Sequence, residues 1–156
     1  MIGVTQLSLR TDELESTVGP RLDQQVFHFT SGASYLGILQ RGRIIQNSDG
    51  RFKTTSRHSF QSMAHHLKAI ALFDLRSKSS DQITLGKSFY NYLCGQPGQK
   101  IVYLIISPRV YSRLITLRDL EEDLRLTKMY LPEIESWYEG DLFLEDIKET
   151  ILVDIT

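Results

Sequence analysis

Short apolar runs bounded by turn residues predict most of the strands in this chain. Residues 25–30 form a β-branched and aromatic run that is typical of a strand. Residues 100–106 are apolar on both faces, which predicts a strand in the centre of its sheet. Further strands are expected at residues 43–46, 68–74, 133–139 and 151–155.

Apolar positions at helical spacing predict a helix over residues 33–41, which Ser31 or Ser34 can cap and Gly42 can end. A second helix is expected over residues 85–93. Further helical segments are expected at residues 109–115, 116–129 and 144–149. Short strands and helices therefore follow one another with unequal connections, which predicts an α+β fold.

The first part of the chain reads as a segment outside the core. Residues 1–22 are polar and end in Gly19-Pro20, a pair that interrupts regular structure. We therefore expect residues 1–24 to be an N-terminal lead-in and residues 25–156 to form a single domain. The N-terminus shows no basic region followed by an apolar stretch, so we expect no secretion signal and a cytoplasmic protein.

Composition excludes several classes of protein. The chain has 156 residues, of which 41% are hydrophobic and 24% charged, so it has enough apolar residues to build a core. Its apolar runs are too short to span a bilayer, so we expect no membrane partner. The single cysteine excludes a disulfide framework and a thiolate zinc site. The net charge of −1 argues against nucleic-acid binding through electrostatics alone.

The common motifs of phosphate and metal chemistry are missing. The sequence contains neither GxxxxGK[ST] nor GxGxxG. His65 and His66 are adjacent and would point to different sides of a helix, so they and His58 are better explained as solvated residues than as metal ligands. Cys94 follows no nucleophile motif. We expect no metal site.

The strand at residues 25–30 carries the first candidate chemistry. Alternation places His28 and Thr30 on one side of the strand and Phe27 and Phe29 on the other. A histidine and a hydroxyl beside a helix start make a polar recess, where imidazole and backbone N–H groups can bind a ligand. The alternative is a core histidine that is hydrogen-bonded to a carbonyl.

The strand at residues 133–139 carries the second group of candidate catalytic residues. Alternation places Glu133, Glu135 and Trp137 on one face. A carboxylate beside an indole is partly desolvated, so its charge acts strongly on a nearby cationic centre. The alternative is an edge strand with a solvated face of glutamates.

Together, these segments resemble proteins of the ADP-ribosyltransferase fold. The residues from His28 to Ser31, followed by a helix ending at Gly42 and by a strand, are similar to the opening of bacterial and phage-associated groups, which include relatives of DNA-targeting ADP-ribosyltransferase toxins. A glutamate on a strand, a turn, a short helix with Ile147 and a final strand are similar to the end of that fold. The resemblance covers residues 25–155 and implies a split mixed sheet with flanking helices.

The resemblance implies NAD as the substrate and assigns roles to five residues. His28 would hydrogen-bond a ribose of NAD, and Thr30 and Ser31 would lie at its nicotinamide end. Glu135 would be the catalytic glutamate, which binds the ribose 2′-OH and stabilises the oxocarbenium-like centre as nicotinamide leaves. Glu133 would orient the acceptor.

The middle of the chain departs from the family pattern. Related families carry a tyrosine on a middle strand that stacks on nicotinamide, where this chain has Phe73. Phe73 could stack instead, or Tyr90 or Tyr103 could enter from elsewhere. Arg76 either lines the same cleft or forms a strand-end ion pair with Asp74.

Two groups of basic residues are candidates for binding the NAD pyrophosphate or a nucleic-acid acceptor. The first lies in residues 51–57, beside Phe52. The second comprises Arg109, Arg113 and Arg118. The alternative is a solvated loop and an exposed helical face, because acidic residues follow at 121–123 and cancel the field.

The leading hypothesis is therefore an NAD-dependent ADP-ribosyltransferase that modifies a protein, DNA or RNA acceptor. Such a protein would act as a toxin or a phage–host conflict factor and could have a cognate inhibitor. The first alternative is a non-catalytic module of the same fold that binds NAD, ADP-ribose or a protein. The others are the RNA 2′-phosphotransferase branch of the fold and an interaction protein that exposes Trp137 and Tyr138.

Overall fold

The computed structural model describes residues 2–47 and 61–156, which form a mixed α/β fold with helices flanking a central sheet. The strands are β1 Gly3–Leu9, β2 Val26–Ser31, β3 Arg43–Ile44, β4 Ala69–Asp74, β5 Lys100–Ile106, β6 Glu135–Glu139, β7 Leu142–Phe143 and β8 Ile147–Ile155. The α-helices are α1 Leu14–Leu22, α2 Gly32–Arg41, α3 Met63–Leu67, α4 Ser80–Phe89 and α5 Glu122–Thr127. Short 3₁₀ segments lie at Thr11–Glu13, Pro108–Arg113, Leu117–Asp119 and Leu144–Asp146.

The central sheet has six strands in the order β1-β8-β5-β2-β4-β6. The pairing of β1 with β8 is parallel and the other pairings are antiparallel, so the sheet is mixed. Strand β5 lies inside the sheet and its residues from Ile101 to Ile106 are buried, as the doubly apolar pattern predicts. Strands β3 and β7 form a separate two-stranded sheet. None of the helices in the described ranges is long and apolar enough to cross a membrane.

Each face of the central sheet is covered by helices. Helix α1 packs on one face through Leu14, Val18 and Leu22, which are fully buried with residues of β2, β5 and β8. Helix α2 covers the other face through Ile38. Its boundaries follow the sequence signals, because the Ser31 side chain accepts a hydrogen bond from Ser34 N–H and the helix ends at Gly42, which has a φ of 72°.

The expectation that residues 1–24 precede the core is wrong. Residues 3–9 form β1, which pairs along its whole length with β8, the last strand along the chain. Helix α1 continues through Gly19-Pro20, whose position in the sequence suggested a break. Burial of its apolar side chains against the sheet outweighs the local cost of the proline.

Several other boundaries also differ from the expectations. Helix α4 begins at Ser80 because Ser79 caps it, and it ends at Phe89, so residues 85–93 are only partly helical. Residues 116–129 form a 3₁₀ turn and the short α5 instead of one amphipathic helix. The expected helix at 144–149 is a 3₁₀ turn, after which β8 begins at Ile147. The strand expected at 43–46 contains only Arg43–Ile44.

Strands β2 and β4 separate soon after they meet. Their ladder contains only the pairs Val26–Asp74 and Phe27–Phe73. On its other side, β2 stays paired with β5 as far as Ser31. The sheet is therefore open between the second half of β2 and the first half of β4, and this opening is called the sheet split below.

Candidate functional site

A large cavity lies where β2 ends and α2 begins. Its volume is about 1100 Å³, slightly above the usual range of about 300–1,000 Å³ for small-molecule sites. His28, Thr30 and Ser31 line it, together with Lys100 from β5 and Tyr90 from the end of α4. Three of the predicted cofactor-binding residues therefore share one cavity.

His28 reaches from β2 towards the sheet split. Burial lowers the pKa of its imidazole to about 4, and a hydrogen bond to the Ala71 backbone of β4 opposes this shift. The ring is consequently neutral at physiological pH, and one of its nitrogens stays available for a ligand. The sequence analysis left open a histidine that is hydrogen-bonded to the backbone, and the bond to Ala71 agrees with that alternative. His28 also lines the cavity, as the ligand-binding interpretation predicts.

Within residues 2–47 and 61–156, no strand pairs with β2 beyond Phe27 on its β4 side, so backbone polar groups of β2 have no strand partner there. The Gln25 carbonyl accepts a hydrogen bond from Leu75 N–H at 3.0 Å, so alternate residues of β2 turn their backbone groups towards β4. Phe27 follows this alternation and pairs with Phe73, which is the last pair of the ladder. Phe29 lies two residues after Phe27, so its backbone groups face the same side of the strand. Its N–H and C=O therefore point into the split, where they can bind an amide.

Aromatic side chains cover one face beside the split. Phe29 lies next to Phe73 and Tyr90, with ring centroids 6.5 and 6.1 Å away. Phe73 and Tyr90 are themselves 5.7 Å apart. Tyr90 is 44% exposed, so one side of this cluster opens to solvent. The hydroxyl of Tyr103 donates to the Tyr92 carbonyl at 2.6 Å and is buried. Of the remaining rings, Phe29 and Tyr90 line the cavity, whereas Phe73 is stacked on Phe27 at 5.1 Å and does not line it.

Glu135 begins β6, directly across from Phe73. Its Oε1 accepts a hydrogen bond from Leu131 N–H at 3.1 Å, and its Oε2 accepts one from Trp137 Nε1 at 2.6 Å. Burial raises the pKa of Glu135 to about 7, while these two hydrogen bonds act in the opposite direction. The carboxylate is therefore held in one orientation and carries its charge in a poorly solvated place.

Glu133 does not share this site. It lies before β6 in a turn, with a φ of 71°, and the strand expected from residue 133 begins at Glu135. Its Oε2 accepts a hydrogen bond from Gln82 of α4 at 2.9 Å. The alternation predicted for Glu133 and Glu135 is wrong, because the left-handed turn interrupts the extended backbone between them.

Arg76 lies at the far end of β4 from the cavity. Its guanidinium contacts both oxygens of Asp74, at 2.9 and 2.7 Å, and stacks on Tyr111 at 4.5 Å. Asp74 pairs with Val26 at the start of β2, so roughly 13 Å of strand separates this pair from Thr30. The ion-pair interpretation of Arg76 is confirmed.

The predicted site residues lie on opposite faces of the sheet, and neither Phe73 nor Glu135 lines the cavity that contains His28, Thr30 and Ser31. Cross-strand partners share a face, so Phe29, Phe73 and Glu135 lie on one face. His28 and Thr30 alternate with Phe29 and lie on the other. The two groups can contact one ligand only where the sheet is open, which is at the split.

Other sequence candidates contribute little to this site. Residues 51–57 and His58 lie outside the described residues. Arg109 binds Asp146 at 3.0 Å, and Arg113 donates to the Tyr138 hydroxyl at 3.1 Å. Trp137 is fully buried and Tyr138 is 8% exposed, so the predicted exposure of this pair is wrong. Within residues 2–47 and 61–156, His, Cys, Asp and Glu side chains form no cluster suited to a metal ion.

Two features of the site were missing from the sequence analysis. One is the backbone edge of Phe29, because nothing in the sequence shows where the β2–β4 ladder ends. The other is the hydrogen bond from Trp137 Nε1 to Glu135, since the sequence analysis placed the indole beside the carboxylate without predicting a bond between them. A comparison with models of known protein families gives no match, and a comparison with curated proteins gives none either.

Proposed function

We propose that this protein is an NAD-dependent ADP-ribosyltransferase. The observation that carries the proposal is the Glu135 carboxylate, which two N–H donors fix on the same sheet face as the aromatic cluster of Phe29, Phe73 and Tyr90. Cleavage of the glycosidic bond of NAD develops positive charge on the ribose as nicotinamide leaves. A fixed, poorly solvated carboxylate stabilises that charge far better than a solvated one.

The split supplies the chemistry that nicotinamide binding requires. The N–H and C=O of Phe29 offer one donor and one acceptor, which match the two halves of a carboxamide. Tyr90, which is exposed and lines the cavity, offers a ring face for stacking on the nicotinamide, and Phe73 lies 5.7 Å from it. In this arrangement Tyr90, one of the alternatives to Phe73 that the sequence offers, takes the stacking role.

The cavity offers room for the rest of the dinucleotide. His28 is neutral and uses its ring N–H in the bond to the Ala71 backbone, so its other nitrogen can accept a hydrogen bond from a ribose hydroxyl. Thr30, Ser31 and Lys100 line the same space and provide polar contacts. The acceptor in this proposal is a protein, DNA or RNA, and the chain acts as a toxin or conflict factor in the cytoplasm.

The experiment is nicotinamide release from NAD at pH 8, measured by chromatography with mixed cell lysate as the acceptor. The wild type should release nicotinamide, and Glu135→Gln should lower the rate by at least about 100-fold, as expected for loss of a group acting on transition-state charge. Glu139→Gln is the matched control, because Glu139 lies exposed on the same face of β6. Full turnover in folded Glu135→Gln would refute the catalytic role.

A non-catalytic module of the same fold is the second candidate. The observation in its favour is that His28 is bonded to the Ala71 backbone and lies on the sheet face opposite Glu135. Calorimetry distinguishes the two functions. Saturable binding of NAD or ADP-ribose without any nicotinamide release supports the module, whereas binding with release supports the transferase.

A further inference from the structure

Trp137 is held rigidly next to Glu135. The two residues are separated by one position on β6, so their side chains leave the same face of the strand. The indole is fully buried with Met63 and Ala69, and Tyr130 meets it edge-on at 6.0 Å between ring centroids. Its backbone is also fixed, since Trp137 exchanges two hydrogen bonds with Ile115, at 2.8 and 2.9 Å.

In the contact between the two side chains, Trp137 is the hydrogen-bond donor and Glu135 is the acceptor. The indole N–H is a donor with no acceptor capacity, and it lies 2.6 Å from Oε2 of Glu135. A short N–H···O⁻ bond is stronger when the oxygen is charged, so the indole favours the ionised carboxylate. The Leu131 N–H does the same at Oε1, but it belongs to a loop that precedes the strand.

Other charges contribute little to holding Glu135 ionised. The titratable groups on the surrounding elements include tyrosines, glutamates and histidines: Tyr90 and Tyr92 beside Phe73, Tyr130 beside Trp137, Glu133 and Glu139 on the same segment, and His65 and His66 of α3, which packs on Trp137. Among the described residues, none of these groups hydrogen-bonds the Glu135 carboxylate, whose partners are the Leu131 N–H and Trp137 Nε1. Within the described residues, Trp137 and the Leu131 amide are therefore the groups that oppose the desolvation of Glu135.

We propose that Trp137 is a positioning residue, which fixes the orientation of the Glu135 carboxylate and keeps it ionised for the transfer reaction. This inference rests on the proposed function for its catalytic consequence. Its physical part, the coupling between the indole and the carboxyl proton, stands apart from turnover. Because Trp137 is the chain's single tryptophan, its fluorescence reports on that coupling directly.

The first experiment measures nicotinamide release by Trp137→Phe, which keeps an aromatic ring and removes the donor. Loss of a hydrogen bond to a charged group should raise the pKa of Glu135 by about one unit. The kcat should then fall about five-fold at pH 7 and recover by pH 9, with KM changed less than about two-fold. Tyr130→Phe, which alters the neighbouring ring only at its hydroxyl, is the control. A loss that is equal at every pH would overturn the proposal.

The second experiment needs no turnover and no folded Trp137→Phe. Fluorescence of the wild type without NAD is followed from pH 5 to pH 9, because a carboxyl group in contact with an indole changes its emission on ionisation. A transition near pH 7 that disappears in Glu135→Gln supports the coupling. No transition in the wild type, or one that persists in Glu135→Gln, overturns it. Absence of nicotinamide release would refute the proposed function and leave this result standing.

Discussion

Replacing Glu135 with glutamine should change how the stability of the fold depends on pH. The substitution keeps the volume of the side chain and removes its ionisation. The Glu135 pKa is about 7 in the folded protein, against the ordinary value of 4.5. In the unfolded chain, Glu135 therefore loses its proton at a lower pH than in the native state. Between these two values the native protein binds more protons, so its stability falls as pH rises.

The size of the effect follows from the displacement of the pKa. One unit corresponds to about 1.4 kcal/mol, so ionising Glu135 weakens the fold by about 3 kcal/mol between pH 4 and pH 8. Glutamine carries no such penalty. It does introduce an amide that faces one of the two N–H donors, at a cost of about 1–3 kcal/mol. That cost is the same at every pH, so only the pH-dependent part tests the reasoning.

The assay is urea unfolding of both proteins from pH 4 to pH 8, followed by far-ultraviolet circular dichroism. The stability of Glu135→Gln relative to the wild type should increase by about 3 kcal/mol over this range. The variant Glu139→Gln gives the background, because it removes an exposed carboxylate from the same strand face. A difference between Glu135→Gln and the wild type that stays constant with pH would show that Glu135 ionises as in water.

Two further substitutions test the packing around the site and the first strand–helix unit. Gly86→Ala should cost about 1–3 kcal/mol in thermal unfolding, because a Cβ there would collide with the side chain of Ile134. Gly37→Ala is the control, since its Cβ would meet only the flexible end of Arg41, and equal effects of the two substitutions would contradict the close packing at Gly86. Leu14→Ala should cost about 2–5 kcal/mol in urea unfolding because Leu14 is fully buried, whereas Val4→Ala, at a position 57% exposed, should cost much less. Small and equal losses at both positions would restore the interpretation of residues 1–24 as a lead-in.

Local signals in the sequence predicted the β2–α2 unit well. The run of residues 25–30, the Ser31 cap and the Gly42 end all act within a few residues of each other. Such signals depend on backbone preferences that are the same in a peptide and in a protein. The central position of β5 was also predictable, because only a strand buried on both faces tolerates so continuous an apolar run.

Features that depend on distant contacts were not predictable in this way. Strand β1 owes its place to parallel pairing with β8, where Gly3 lies opposite Glu149. Its sequence is weakly patterned because an edge strand is only half covered. Residues 116–129 show the reverse error, since an amphipathic pattern there forms a 3₁₀ turn and a short helix that pack on Trp137. An amphipathic pattern indicates which side chains are buried, but it does not determine the backbone conformation of the segment that carries them.

The candidate site depends on the point where one strand ladder ends, which periodicity does not reveal. The alternation of β2 was predicted correctly and places His28 and Phe29 on opposite faces of the sheet. In an unbroken sheet, this would separate the histidine from Glu135 by the full thickness of the backbone. Because the β2–β4 ladder stops at Phe27 and Phe73, both faces open onto the same gap. The proposed chemistry therefore requires the split as much as it requires Glu135, because a ligand held by the backbone of Phe29 would lie between the face that carries His28 and the face that carries Glu135.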